Sequence, residues 1–148
     1  MNDSFYGEVL TEHYLYPRHQ RQLATYDRRQ VGVNASCGDS LELQIKFAGD
    51  RIQDLAFSGQ GCALSRASSD IVCGLLQGRS LSEAQKIIVA FDQLAAGQAH
   101  EEQKQLLGEA VSLESALQMP LRTKCVQLAW TLAAQLLRPM SSDNKNET

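Results

Sequence analysis

The residues able to do chemistry are few: cysteines 37, 62, 73 and 125, and a carboxylate beside the first of them. Cys37 opens the run Cys37-Gly38-Asp39, Cys62 closes the glycine-rich run Ser58-Gly59-Gln60-Gly61-Cys62, and Cys125 follows Pro120 in a run of apolar residues at helical spacing. Thiolates and a carboxylate are ligands for a divalent ion such as zinc, which takes its donors in a tetrahedral shell. The cysteines lie far apart, with no Cys-x-x-Cys pair and none of the dense spacing of a small disulfide-stapled domain. In a reducing compartment they are thiols, and each can serve as core, as metal ligand or as nucleophile.

Every one of these positions also has an ordinary reading. Cys73, mid-helix between Val72 and Gly74, reads as a small core residue. Cys125 falls on the apolar face of its helix, where packing explains it as well as ligation does. Asp39 alone reads more readily as a turn residue bonding its own backbone. Cys37, in a polar turn, is harder to explain as core.

The elements decide whether these groups can meet. Leu41, Leu43, Ile45 and Phe47 alternate with Glu42, Gln44 and Lys46, the period of a strand with one buried face. Gly49-Asp50 supplies a turn, and Arg51 to Ser58 returns with Leu55 and Phe57 on one face, so the segment predicts a hairpin. Ile52 is out of phase with those two, which predicts a bulge near Gln53. A short strand around Val31 to Asn34 completes a three-stranded sheet. Cys37 and Asp39 then enter the hairpin while Cys62 leaves it, and the two ends of a hairpin are neighbours. Gly38, Gly59 and Gly61 allow the flanking turns to bend.

Helical spacing is clear elsewhere. Tyr6, Val9, Leu10, His13 and Tyr14 predict a first helix over 4–16, stopped by Pro17. Residues 17–30 are polar and basic, an exposed connection whose Arg18, Arg21, Arg28 and Arg29 face solvent or a partner. A second helix begins near Cys62 and closes at Gly78. Ser80 and Glu83 fit a capping box, followed by the stripe Leu81, Ala84, Ile87, Ile88, Phe91 and Leu94. A short helix is expected around Glu101 to Leu107. Pro120 suits the start of a last helix with an apolar face at Leu121, Cys125, Leu128, Ala129, Leu132 and Leu136. Cys62 and Cys125 are both expected in first turns, where unpaired amides favour thiolate.

With 148 residues, 43% of them hydrophobic and 21% charged, the chain suits a single globular domain over 1–138 with a flexible C-terminal tail over 139–148. The class is α+β, a small three-stranded antiparallel sheet packed against several helices. A formal net charge of −3 gives no field for polyanions, so nucleic acid is not an expected partner. The N-terminal run MNDSFYGEVL lacks a signal-peptide pattern, and no apolar run approaches the ~18 residues of a membrane span. A cytoplasmic protein without a membrane partner is the expectation.

The runs Asn34-Ala35-Ser36-Cys37-Gly38-Asp39-Ser40, Gly59-Gln60-Gly61-Cys62 and Arg122-Thr123-Lys124-Cys125, in that order, resemble motifs of the IscU/NifU-N superfamily. The opening run F-Y-G-E-V-L-T-E-H-Y with its following Pro17-Arg18 resembles that family's first helix, so the resemblance spans residues 5 to about 137. It is most similar to the SufU branch: Lys124 stands where the IscU branch has histidine, and residues 118–122 depart from a Leu-Pro-Pro-Val-Lys motif. The long helical stretch between Cys62 and Cys125 also resembles an insertion of that branch.

The resemblance implies zinc held by Cys37, Asp39, Cys62 and Cys125, in a sulfurtransferase of iron–sulfur cluster assembly. Cys37 would accept persulfide sulfur from a SufS-type cysteine desulfurase and pass it to a downstream iron–sulfur scaffold complex. Three thiolates, a carboxylate and a divalent ion total −2, which Arg122 or Lys124 would compensate. A zinc-bound thiolate must be displaced before it attacks, and Asp39, a hard oxygen donor, would make the shell more labile. The alternatives are an iron–sulfur cluster scaffold using the same ligands and a structural zinc module.

Overall fold

The structure is a computed structural model that describes residues 2–138, with side chains from residue 7. The side chain of Tyr6 and the tail at 139–148 lie outside the described residues. The elements run α1 (Asn2–Leu15), β1 (Arg28–Asn34), β2 (Asp39–Ala48), β3 (Arg51–Gln60), α2 (Ala63–Leu76), α3 (Leu81–Ala95) and α4 (Glu101–Leu107). A 3-10 segment (Gly108–Leu113), α5 (Glu114–Leu117) and α6 (Pro120–Leu136) complete them. The strands form one antiparallel sheet in the order β1-β2-β3.

Alternation does what it predicts: Leu41, Leu43, Ile45, Leu55 and Phe57 are all buried on the inner face. Between β2 and β3 the register steps from Lys46 opposite Asp54 to Phe47 opposite Ile52, leaving Gln53 as the extra residue. This is the expected bulge, and it returns Ile52 to the buried face. α2 and α6 cover that face with Val72, Leu76, Val126, Ala129 and Ala133. α3 joins through Phe91, which stacks on Trp130 of α6 with ring centroids 3.9 Å apart. Its start is the capping box of Ser80 and Glu83, with both reciprocal bonds present.

The basic connection differs from its reading as a solvated loop. β1 begins at Arg28, and the Arg28 guanidinium donates to the carbonyls of Leu136 and Arg138 at 2.7 and 2.6 Å. It thus caps the C-terminal end of α6, where carbonyls lack helical partners and the dipole is negative. Charge alone could not foretell that role. Residues 19–23 run along β3: Arg21 N–H donates to the Phe57 carbonyl, Phe57 N–H donates to that of His19, and Leu23 N–H donates to the buried Gln44 amide oxygen. The connection therefore pairs along the free edge of β3 and then reaches Gln44 of β2 through Leu23. Arg21 and Arg29 are exposed and pair with Asp54 and Glu42, each at 3.4 Å.

Leu121, expected in the buried stripe of α6, is 89% exposed, because the helix meets the core only from Cys125 onward. The 3-10 segment and α5 carry no cap or periodic signal, yet Ala110, Leu113, Ala116 and Leu117 on them are buried. No helix among the described residues is long and apolar enough to cross a membrane.

Candidate metal centre

The strand registers bring the cysteine loops together. Asn34 pairs with Asp39 at one end of the β1–β2 ladder, and Ser40 pairs with Gln60 at the open end of the hairpin. Cys37 sits in the tight turn between β1 and β2, its N–H donating to the Asn34 carbonyl at 3.2 Å. Gly38 adopts φ +73° there, a conformation that a side chain disfavours. On the other limb Gly59 has φ +117°, and a Cβ on it would strike the Ser40 carbonyl oxygen. Gly61 serves by its size: a Cβ would lie 2.6 Å from Ser65 Oγ and 3.2 Å from Asp39 Oδ1.

Asp39 is fully buried. Its Oδ1 accepts the Cys62 N–H at 2.9 Å, and Asn34 Nδ2 faces Oδ2 at 3.5 Å. It is therefore more than a turn residue bonding its own loop. Cys62 is the N-cap of α2, its Sγ accepting the Ser65 N–H at 3.4 Å. Cys125 comes from α6, and its thiol donates to Cys37 Sγ at 2.7 Å. The donor atoms of Cys37, Asp39 and Cys125 all lie within 4.8 Å of one another. Cys62 stands outside that close triple and is tied to it through the Asp39 bond.

One expectation needs correcting. Cys125 is not in the first turn of its helix: α6 starts at Pro120, so Cys125 lies in the second turn, beyond the unpaired amides. Its thiol is instead pushed far above the ordinary cysteine value, by burial first and then by Cys37, Cys62 and the charge of Asp39. Cys73 is fully buried in the core cluster, its thiol also raised by burial and then by Asp70, as a packing residue should be. Arg122 and Lys124 are exposed, and among the described residues no ion pair joins them to the donor atoms.

The donor set fits zinc. Thiols from separate elements converge with a carboxylate whose oxygens are already oriented by an amide N–H and by Asn34, the supporting contacts that metal ligands require. Asn34, 8% exposed and with Nδ2 3.8 Å from Cys125 Sγ, is a site residue that sequence reasoning missed. The available signal was its place at the end of a strand just before the Cys37 turn.

Residues 5–126 match the family described as the NifU-like N-terminal domain. The chain belongs to that family. This NifU-like domain is 36% identical over 133 residues to an iron–sulfur cluster assembly scaffold protein IscU of Streptococcus pyogenes, covering 90% of this chain and 82% of the relative. It is 30% identical over 129 residues to the zinc-dependent sulfurtransferase SufU of Bacillus subtilis, covering 86% of each. Among solved structures, a candidate iron–sulfur cluster assembly scaffold for the SUF system from Fervidobacterium islandicum superposes with a TM-score of 0.83 at 25% identity, over 93% of this chain and all of that one. The NifU-like domain thus has relatives bearing both the IscU and the SufU names.

Proposed function

We propose that this NifU-like domain works in iron–sulfur cluster assembly, the process that the names of its IscU relatives state, and that it does so as a zinc-dependent sulfurtransferase. Cys37, Asp39, Cys62 and Cys125 would hold the metal, which when bound keeps thiols ionised at neutral pH. The observation that carries the reading is the unequal setting of the donors. Asp39 and Cys125 are buried on β2 and α6, whereas Cys37 is partly exposed on a glycine-bent turn. Cys62 is partly exposed as well, but its sulfur is engaged as the N-cap acceptor of α2, which leaves Cys37 as the sulfur offered to a partner.

In the transfer, the Cys37 thiolate attacks the terminal sulfur of a persulfide on a SufS-type cysteine desulfurase. The donor's S–S bond breaks, a new one forms on Cys37, and the donor cysteine leaves as thiolate. The sulfur would then pass to a downstream iron–sulfur scaffold complex. Four free thiols suit such work in the cytoplasm, where thiols stay reduced.

The test is desulfurase turnover with cysteine, with and without this protein. Addition of the zinc-loaded protein should raise turnover and leave an extra sulfur on Cys37, while a folded Cys37→Ala variant should draw none. Undiminished transfer by that variant would remove the acceptor role, and unchanged turnover would favour a structural zinc module. A scaffold role has its own support in the 36% identity to the Streptococcus pyogenes relative. Protein purified without oxygen separates the two: colourless with zinc means transfer, brown with iron and sulfide means scaffolding.

A further inference from the structure

The contact between Cys125 and Cys37 has no need of a metal. A buried thiol, 4% exposed, donates its proton to the sulfur of a partly exposed one at 2.7 Å. We infer that in the metal-free protein Cys125 is the resolving thiol for persulfide sulfur carried on Cys37, discharging it as sulfide. This rests on the acceptor role proposed above for Cys37.

The step balances within the chain. The outer sulfur of the persulfide takes the Cys125 proton, and Cys125 Sγ attacks as thiolate on Cys37 Sγ, the inner sulfur, so that a Cys37–Cys125 disulfide forms. The outer sulfur leaves with the electron pair of the broken S–S bond and with the proton of Cys125, as hydrosulfide. The sulfane sulfur is reduced, the two thiols are oxidised, and a dithiol reductant of the thioredoxin class then resets the pair.

Two features favour Cys125 for this task. Its sulfur already touches the atom to be attacked, which turns an encounter between molecules into an intramolecular reaction. It is screened from bulk solvent, so small thiols and oxidants reach Cys37 first. Cys62 is occupied as the cap acceptor of α2 and lies outside the close group, and Cys73 is enclosed in the core. A metal-bound Cys125 would not be available, so discharge belongs to the metal-free form.

The test uses the full-length, metal-free protein, treated anaerobically with glutathione persulfide and no other reductant. Wild type should release sulfide in step with the loss of free thiols, and non-reducing peptide maps should show Cys37 joined to Cys125. Cys125→Ser should keep the extra sulfur on Cys37 and release sulfide at least ~10-fold more slowly until a dithiol is added, reflecting the lost proximity. Wild type that retains the persulfide, or a crosslink that maps to Cys62, would overturn the inference. If both proteins load and hold sulfur equally, only the resolving role falls. If neither metal-free protein loads sulfur on Cys37 while the zinc-loaded protein accepts it from the desulfurase, the resolving role falls and the acceptor role stands; if the zinc-loaded protein loads none either, both fall. Circular dichroism checks the fold of the variant, and should it unfold, the wild-type crosslink map decides alone.

Discussion

Asp39 accepts the Cys62 amide through Oδ1 and faces Asn34 through Oδ2 while a carboxylate oxygen lies within 4.8 Å of two thiol sulfurs. Its carboxylate therefore serves both the closed hairpin end and the metal site, and two substitutions separate these roles. Asp39→Ala leaves a buried amide without its charged acceptor and should cost about 1.5–3 kcal/mol, read as a lower urea midpoint of the metal-free protein. Asp39→Asn keeps an acceptor oxygen and should retain most of that stability. Zinc affinity, measured by competition with a chelating dye, should fall in both variants.

At the scale of elements, α3 and α1 are held in different ways. The capping box of Ser80 and Glu83 satisfies two amides at the start of α3. Ser80→Ala should therefore cost about 1 kcal/mol, seen as a small drop in the thermal unfolding midpoint. α1 is tied down by His13, whose ring nitrogens lie 2.7 Å from Asp70 on α2 and 2.7 Å from Glu109 in the 3-10 segment. The Asp70 hydrogen bond, against the cost of burial and with help from Glu109, raises the His13 pKa above 6.5. A base with a raised folded pKa stabilises fully below its unfolded pKa and loses that contribution as pH rises through the folded value. The stability difference between wild type and His13→Gln should thus shrink as pH climbs above the ordinary imidazole range, measured as urea midpoints across pH. His19, lowered chiefly by burial, works in the opposite sense on the acid side and is common to both proteins.

Across the whole molecule the candidate ligands come from the β1–β2 turn, β2, the start of α2 and α6. A metal held there would crosslink the sheet to the two helices that cover it. Ligand binding to the native state alone stabilises by about 2.7 kcal/mol at 100 times the dissociation constant. Zinc should accordingly raise the unfolding temperature of wild type, chelation should reverse the gain, and Cys125→Ser should lose most of it. Differential scanning calorimetry at fixed protein concentration checks all three.

Local interactions were readable from the chain alone: the alternation in β2 and β3, the bulge at Gln53, the capping box at Ser80 and the proline that opens α6. Each depends on near neighbours, so periodicity and residue type suffice. The motifs around Cys37, Cys62 and Cys125 were legible too, as was the approach of Cys37 and Asp39 to Cys62 at the hairpin's open end. What only the tertiary structure decided were groups whose partners lie far along the chain. Arg28 reads as one more solvated cation until the end of α6 arrives above it, and Asn34 reads as a strand end until Asp39 and Cys125 close around it. Cys125 itself was ambiguous between core and site because it is both: a buried residue of the apolar face whose sulfur meets Cys37. Burial and contact between distant segments are properties of packing, and no local pattern encodes them.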